Sequence, residues 1–377
     1  MKVNFNYISR ELRECKEIGV SIKHRRDLKL GVTELRHGYV STFVNWDACG
    51  GAITSENACV VDDPWKNDAS FFDFDTAFVE HKRVIYLGNV VNCFGHFFTD
   101  NLRKVWFLKT TQGKKLIEEG AEIVYTTDQA PLISVAFEIW KMAGVDLSRA
   151  RLIDKLTRFD VVYIPDNCFF EIEAKLYTPE WAELVESIKE NAIKSRPYSS
   201  EFGNSSRRVY LTRVGIDNRS KTEIGEREIV KVFKRRGYEI VSPEKLSICE
   251  QICLMDGCSH LVATEGSVAH LSLFCKPKTE VVILCKANYN NGYQNVINEY
   301  ADLNVTYVES HKSVMASKEA PWGGPFYLCV TKYLEQYIGH PILHVPYWLK
   351  PSYWKYSRNI LYGSYLRTKK AIKRIVG

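Results

Sequence analysis

Hydrophobic and polar positions change period most regularly between Arg207 and Ser310. RRVYLTR opens this stretch as a β-rich run, and a polar segment follows. EREIVKVFKRRGY then predicts a helix, with Ile229, Val232, Phe233 and Arg236 at helical spacing and Gly237 as its stop. YEIVSP predicts a short strand, and Pro243 and Glu244 begin a helix carrying Ile248, Ile252 and Met255. HLVAT predicts a strand, GSVAHLSLFC a helix, EVVILC an apolar strand, NGYQNVINEYA a helix and NVTYVES a closing strand. Strands alternating with helices predict parallel pairing through crossover helices, hence a Rossmann-like domain. A short apolar strand bounded by charge, as in EVVILCK, suits a strand covered on both faces.

The first half is less regular. RVIYLGN, EIVYTT and FDVVYIP predict strands, and residues 95–110, 131–143 and 179–194 predict helices. Residues 1–80 read as β-rich. SRPYSSEFGNSS (195–206) mixes Pro, Gly, Ser and Asn with almost no apolar content, which marks a linker. The expected division is an α/β domain over 1–200, a Rossmann-like domain over 201–315 and a C-terminal tail over 316–377.

A chain of 377 residues fits two domains. Its 45% hydrophobic and 25% charged content is that of a soluble globular protein. No apolar run approaches the roughly 18 residues that span a bilayer, and MKVNFNYISRELRECKEIGV lacks the apolar core of a signal peptide. The expected location is therefore cytoplasmic. Eleven cysteines are scattered, with no CxxC pair, and Cys249, Cys253, Cys275 and Cys285 lie in apolar segments. They read as small reduced core residues rather than zinc ligands, so no metal is expected. The net charge of +6 is modest for the length, and no nucleic-acid partner is expected. The tail is distinctive. Tyr347, Trp348, Tyr353, Trp354, Tyr356, Tyr362 and Tyr365 precede Lys369, Lys370, Lys373 and Arg374. Such a mixture suits peripheral contact with a membrane, such as the inner membrane, or a helix packed on the protein by its aromatic face.

Candidate chemistry follows from strand ends, because ligands of open α/β sheets bind outside the carboxyl ends of the strands. The sharpest such place is HLVAT-Glu265-Gly266-Ser267-Val-Ala-His270. Gly266 permits close backbone approach and Ser267 opens the next predicted helix, whose exposed N–H groups favour an anion such as a pyrophosphate. Glu265 would repel phosphate, so its expected partner is a ribose or sugar hydroxyl. Leu211-Thr212-Arg213, followed by Arg219, Ser220 and Lys221, places cations where a diphosphate leaves, or forms a solvated basic loop. In the first half, His96, Asp100 and Arg103 share a helix face by spacing. That face either holds a general base or carries a surface ion pair. Phe98, Leu102 and Val105 share the face expected to pack on the core. Asp73-Phe74-Asp75 has the form of a metal–diphosphate motif, though it precedes any Rossmann strand.

Taken together, these segments resemble glycosyltransferase family 61 in three blocks in the same order, over roughly residues 80 to 310. The first is His96-Phe97-Phe98-Thr99-Asp100 through Lys104 and Trp106, with Arg103-Lys104 where the family has Pro-Arg. The second is Tyr210-Leu211-Thr212-Arg213, Arg219, Lys221, Glu226 and Gly237-Tyr238-Glu239-Ile240-Val241, with Gly225 where the family has Asn. The third is Pro243-Glu244, Leu246-Ser247, Gln251, then Glu265-Gly266-Ser267 and Leu271-Ser272-Leu273-Phe274. Many members have His in place of Glu265; the Gly-Ser-x-x-His form with His270 is similar to bacterial members.

The resemblance implies an α/β fold of the GT-B type, with two Rossmann-like domains facing a cleft, the acceptor side in 1–200 and the nucleotide-sugar side in 201–315. It implies inverting transfer from a nucleotide sugar, such as a UDP-sugar, to a hydroxyl, without an obligatory metal or other cofactor. For a bacterial-type member the acceptor is a glycan or lipid-linked glycan of capsule or lipopolysaccharide. In the expected mechanism His96 or Asp100 deprotonates the acceptor. Arg213, Arg219, Lys221, Glu265, Gly266, Ser267 and His270 bind the donor. Two rivals remain open: a binding protein that kept the fold and lost the chemistry, with Glu265 as its sign, and a nucleotide-sugar epimerase, for which no GxGxxG follows a strand.

Overall fold

A computed structural model describes residues 1–20, 28–45, 51–54, 69–147, 150–170, 176–195, 206–216, 223–312 and 325–361. The chain forms two compact units, one of Met1–Ser21 with Ser199–Gly377 and one of Ile22–Tyr198. Both are mixed α/β. The chain's first residues, expected in the 1–200 domain, group with the second half of the chain.

Strand β1 (Lys2–Tyr7) and helix α1 (Arg10–Val20) open the chain and join the C-terminal unit. The Ile22–Tyr198 unit contains β2 (Val32–Arg36), β3 (Tyr39–Val40), β4 (Ala52–Ile53), β5 (Phe78–Val90), α2 (Thr111–Glu118), β6 (Glu122–Thr127) and α3 (Ser134–Met142). It continues with β7 (Arg151–Leu152), β8 (Thr157–Pro165), β9 (Phe169–Phe170), β10 (Leu176–Tyr177) and α4 (Pro179–Lys194). Its main sheet runs β4-β3-β8-β5-β6-β7, with β2 also on β8. The strands β8, β5, β6 and β7 are parallel, whereas β2, β3 and β4 pair antiparallel. Val84, Tyr86, Val124, Phe159 and Val162 form its core. From β5 the chain moves outward to β6 and β7 and then crosses to β8 on the other side. The strand order therefore turns between β5 and β8.

The second unit is more regular. It contains β11 (Arg207–Leu211), β12 (Glu223–Ile224), α5 (Glu226–Arg235), β13 (Glu239–Val241), α6 (Ile248–Asp256) and β14 (Cys258–Thr264). Then come β15 (Glu280–Cys285), α7 (Gly292–Tyr300), β16 (Asn304–Glu309), β17 (Phe326–Tyr327) and α8 (Lys332–Ile338). Six strands pair in the order β1-β16-β15-β14-β11-β13, all parallel. This is the Rossmann-like sheet expected from the sequence, enlarged by β1 at one edge. Alternating Val3, Phe5 and Tyr7 give β1 a face to bury, and Phe5 stacks on Tyr307 at 5.4 Å. The amphipathic α5 buries Ile229, Val232 and Phe233 against Tyr210 and Tyr238. Leu328, Val330, Leu334 and Ile338, within the 316–377 tail, join the same core.

Two predicted helices take another form. Residues 95–110 fold as successive 3-10 turns, Phe94–His96, Asp100–Leu102 and Val105–Lys109. Side chains compete there with the helical ladder: Thr99 Oγ1 donates to Gly95 O (3.2 Å) and Arg103 Nε donates to Asp100 O (2.7 Å), while Asn101 ties the segment to Val91 N and O (2.9 and 2.8 Å). GSVAHLSLFC forms turns at 265–268 and a six-residue 3-10 helix, Ala269–Phe274. The α-helix start expected to bind an anion at Ser267 is therefore not formed. Cys253, Cys275 and Cys285 are buried free thiols, as expected. Arg219, Lys221, most of the linker and the basic end of the tail lie outside the described residues.

Candidate active site

In the Ser199–Gly377 unit the connections leave β11 toward β13 on one side and leave β14 toward β15 on the other. The strand order thus turns between β11 and β14, the place where open α/β sheets bind ligands. Arg213 follows the end of β11, Glu265-Gly266-Ser267 follows β14, and Lys286 follows β15. Gly266 has φ +120°, a backbone state suited to glycine, and a Cβ there would lie 3.1 Å from Lys286 Nζ. Gly266 and Ser267 are half-buried within a run from 261 to 275 that is otherwise buried.

Glu223 ties the cations together. Its Oε2 lies 2.6 Å from Arg213 Nε and its Oε1 accepts from Lys286 Nζ at 2.7 Å. Burial holds the Lys286 ammonium below its ordinary pKa, against the opposing pull of Glu223. Lys286 also lies 4.5 Å from the Phe326 ring centre. Two cations and one carboxylate leave one net positive charge beside the Gly266 turn. A cavity of about 330 Å³ adjoins Glu223, lined by Val214, residues 223–228, Tyr327, Lys350 and Ser352.

The other expected donor residues differ in placement. Glu265 is fully buried, and Lys16 of α1, equally buried, donates to its Oε1. Burial pulls the Lys16 ammonium down, and Glu265 beside it outweighs this and holds the proton on. The rings of Tyr307 and Tyr289, 4.9 and 5.4 Å away, flank the ammonium. Glu265 is thus engaged in a protein ion pair rather than displayed to a sugar. His270 is buried too, with its Nε2 accepting from Asn291 Nδ2 (3.3 Å), and Asn291 caps α7. The His270 ring centre lies 5.9 Å from that of Tyr293.

Glu226, the acid at the start of α5, is buried and accepts from Tyr210 Oη (3.1 Å) and from Arg213 N (3.1 and 3.2 Å). It fixes the backbone from which Arg213 projects. Gly225 before it has φ +94°, and a Cβ would fall 2.1 Å from Leu328 O, so no side chain fits. Burial pushes the Glu226 carboxyl up to about 7. The folded chain keeps that proton where an exposed Glu has lost it above its ordinary 4.5, so stability falls as pH rises from 4.5 to about 7. Glu226→Gln is expected to flatten this fall, measured by urea unfolding from about pH 5 to about pH 8; an unchanged slope contradicts it.

In the Ile22–Tyr198 unit, His96 and Asp100 follow the carboxyl end of β5, beside the turn in strand order between β5 and β8. Lys104 Nζ and Trp106 Nε1 donate to Pro165 O (2.7 Å) and Asp166 O (2.9 Å) at the end of β8, pinning the segment there. His96 Nδ1 lies 2.8 and 2.9 Å from the two Asp100 oxygens, Thr99 Oγ1 donates to Oδ1 (2.9 Å), and Arg103 Nη2 donates to Oδ2 (3.1 Å). Burial raises the Asp100 carboxyl, but His96, then Arg103 and Thr99, outweigh it and bring it down to about 2. The Asp100 side chain is 0% exposed and that of His96 23%. A buried ionised carboxylate behind a part-exposed imidazole is an arrangement for orienting a base. Phe98, Leu102 and Val105 are buried, as their spacing predicted.

Asp73 accepts from Asp75 N (3.1 Å) and caps a 3-10 turn, a local structural role. Among the described residues, no group of three or more His, Cys, Asp or Glu is placed to hold a metal ion. Lys286 and Lys16 were missed by sequence reasoning. Lys286 was legible as the first residue beyond EVVILC, at a strand's carboxyl end. Lys16, in the charged run RELRECKEIGV, carried no such signal.

The chain has no match among the curated proteins compared with it. The family model of glycosyltransferase 61 matches residues 94–282, from the turn that carries His96 to the middle of β15. That match spans half of the sequence and includes His96, Asp100, Arg213 and Gly266. The chain belongs to the glycosyltransferase 61 family.

Proposed function

We propose that the protein is an inverting glycosyltransferase that moves a sugar from a nucleotide-sugar donor, a UDP-sugar, to a hydroxyl of a glycan acceptor. The observation that carries this reading is the meeting of Arg213, Gly266 and Lys286 at the carboxyl ends of β11, β14 and β15. A diphosphate fits there: glycine lets its oxygens approach the backbone, and the two cations neutralise it. Ser267 adds a polar contact at the same turn. The adjoining cavity is the space for the nucleoside, and Arg219 and Lys221 remain candidates for the same diphosphate. His96 is the base. Asp100, with its carboxyl at about 2, stays ionised at working pH, so it orients the ring and stabilises its charged form.

The step is a single displacement. The acceptor hydroxyl gives its proton to His96 as its oxygen bonds to the anomeric carbon. The bond from that carbon to the diphosphate breaks, and its electron pair leaves with the phosphate oxygen, whose charge Arg213 and Lys286 stabilise. These cations do what a divalent metal does elsewhere, so transfer is expected to survive EDTA; strict dependence on Mn²⁺ contradicts this. The GT-B arrangement, a role in capsule or lipopolysaccharide synthesis and a cytoplasmic location belong to the same proposal and rest on the family resemblance.

A panel of nucleotide sugars tests the reading by thermal shift and by nucleotide release. One donor is expected to raise the melting temperature by linkage and to release its nucleoside diphosphate. A folded protein indifferent to the whole panel overturns it.

A further inference from the structure

From residue 336 to 377 the sequence has eight Lys or Arg and no Asp or Glu. Within this stretch the described residues have two distinct sides. On the inner side Tyr353 and Tyr356 pack on Tyr327, with ring centres 5.2 and 5.5 Å apart, and Tyr347 and Ile360 join them. On the outer side Leu343, Val345, Trp348, Leu349, Trp354 and Leu361 are each more than half exposed. Residues 351–361 are helical, so Trp354, Arg358 and Leu361 share one face, away from Tyr353, Tyr356 and Ile360. Trp354 Nε1 donates to Trp348 O (2.9 Å), tying the two exposed indoles together. Lys355 and Arg358 are exposed beside them, whereas Lys350 is engaged with Glu228.

Tyr347, Tyr353 and Tyr356 thus pack inward around Tyr327, whereas Trp348, Leu349, Trp354 and Leu361 keep more than half of their surface exposed. The partner must accept apolar side chains at depth and cations around them, and must carry negative charge without needing a cation in return. A protein surface meets these conditions poorly, since interface cores deplete lysine. A bilayer with anionic headgroups meets all of them: indoles settle at headgroup level, leucines reach the acyl boundary and cations meet the lipid charge. Among the described residues no helix is long and apolar enough to cross a membrane, so contact would be peripheral.

We propose that the surface built by residues 343–361 seats this protein on an anionic lipid bilayer through Trp348, Leu349, Trp354 and Leu361. The proposal does not rest on the sugar-transfer reading, since Trp348, Leu349, Trp354 and Leu361 do not line the cavity assigned to the nucleoside.

Sedimentation of the full chain with phosphatidylcholine vesicles, with and without about one-third phosphatidylglycerol, tests it. Binding is expected to the anionic vesicles, weaker in high salt, and about tenfold weaker for Trp348→Ser/Trp354→Ser. Lys355→Gln/Arg358→Gln is expected to lower binding to anionic vesicles alone. Acyl-brominated lipid is expected to quench tryptophan emission in the parent and much less in Trp348→Phe/Trp354→Phe. The proposal is overturned by absence of binding to either vesicle or by equal binding of the Ser variant. It is equally overturned if the parent self-associates, binds no vesicle and becomes monomeric in that variant, because a second copy then covers the surface.

Discussion

Replacing His96 with alanine is expected to lower kcat about 10²–10⁴-fold, with donor affinity and melting temperature close to those of the parent. The imidazole is the part-exposed member of its cluster, and Asp100 keeps Arg103 and Thr99 as partners when the ring is gone. Asp100→Asn is expected to behave differently. Removing the charge leaves Arg103 buried without its carboxylate, so stability falls by about 3–5 kcal/mol, and the ring loses the acceptor that orients it. The pair of variants separates base from orienter: one loses rate alone, the other loses rate and stability. Single-turnover rates with urea unfolding check both, and a His96→Ala enzyme within about threefold of the parent removes His96 from the chemistry.

The second large effect is on stability. Lys16→Met leaves Glu265 fully buried with its principal cation removed, at a cost of about 3–5 kcal/mol, or roughly 6–20 °C in the melting temperature of a unit this size. Burial then acts on the Glu265 carboxyl without Lys16 and pushes it further up, so the variant loses stability as pH rises. Lys16→Met/Glu265→Gln is expected to recover much of the loss, because the desolvated charge is gone from both sides. A double variant no more stable than Lys16→Met contradicts this, and it would mean that Lys16 acts by packing on Tyr307 and Tyr289 alone. The pair gives Glu265 a buried structural partner, Lys16 of α1.

The Rossmann-like half was legible because its signals are local. Each strand and helix from β11 to β16 carries its own periodicity and stop, and their alternation dictates parallel pairing. Local signals gave out where partners lie far along the chain. β1 pairs with β16 some three hundred residues away, and the alternation of KVNFNY does not say which strand it joins. Lys16 lies in a helix whose charges read as solvated, and its burial depends on Glu265 across the unit. The predicted helix over 95–110 failed for another reason. Phe97 to Leu108 is buried on every side, so no stripe marks its conformation, and the Thr99 and Arg103 side chains take the Gly95 and Asp100 carbonyls from the helical ladder. The cluster of His96, Asp100 and Arg103 nevertheless survived, because both conformations bring residues three and four apart together.

The placement of the donor is tested most directly by titrating the nucleoside diphosphate of the responding donor into the parent, Arg213→Ala, Lys286→Met and His96→Ala by calorimetry. Affinity is expected to fall at least about tenfold in each of the first two variants, the loss of a charge-assisted contact, and to stay at the parental level in His96→Ala. Parental affinity in both Arg213→Ala and Lys286→Met, or a loss confined to His96→Ala, would contradict a diphosphate held at the Gly266 turn.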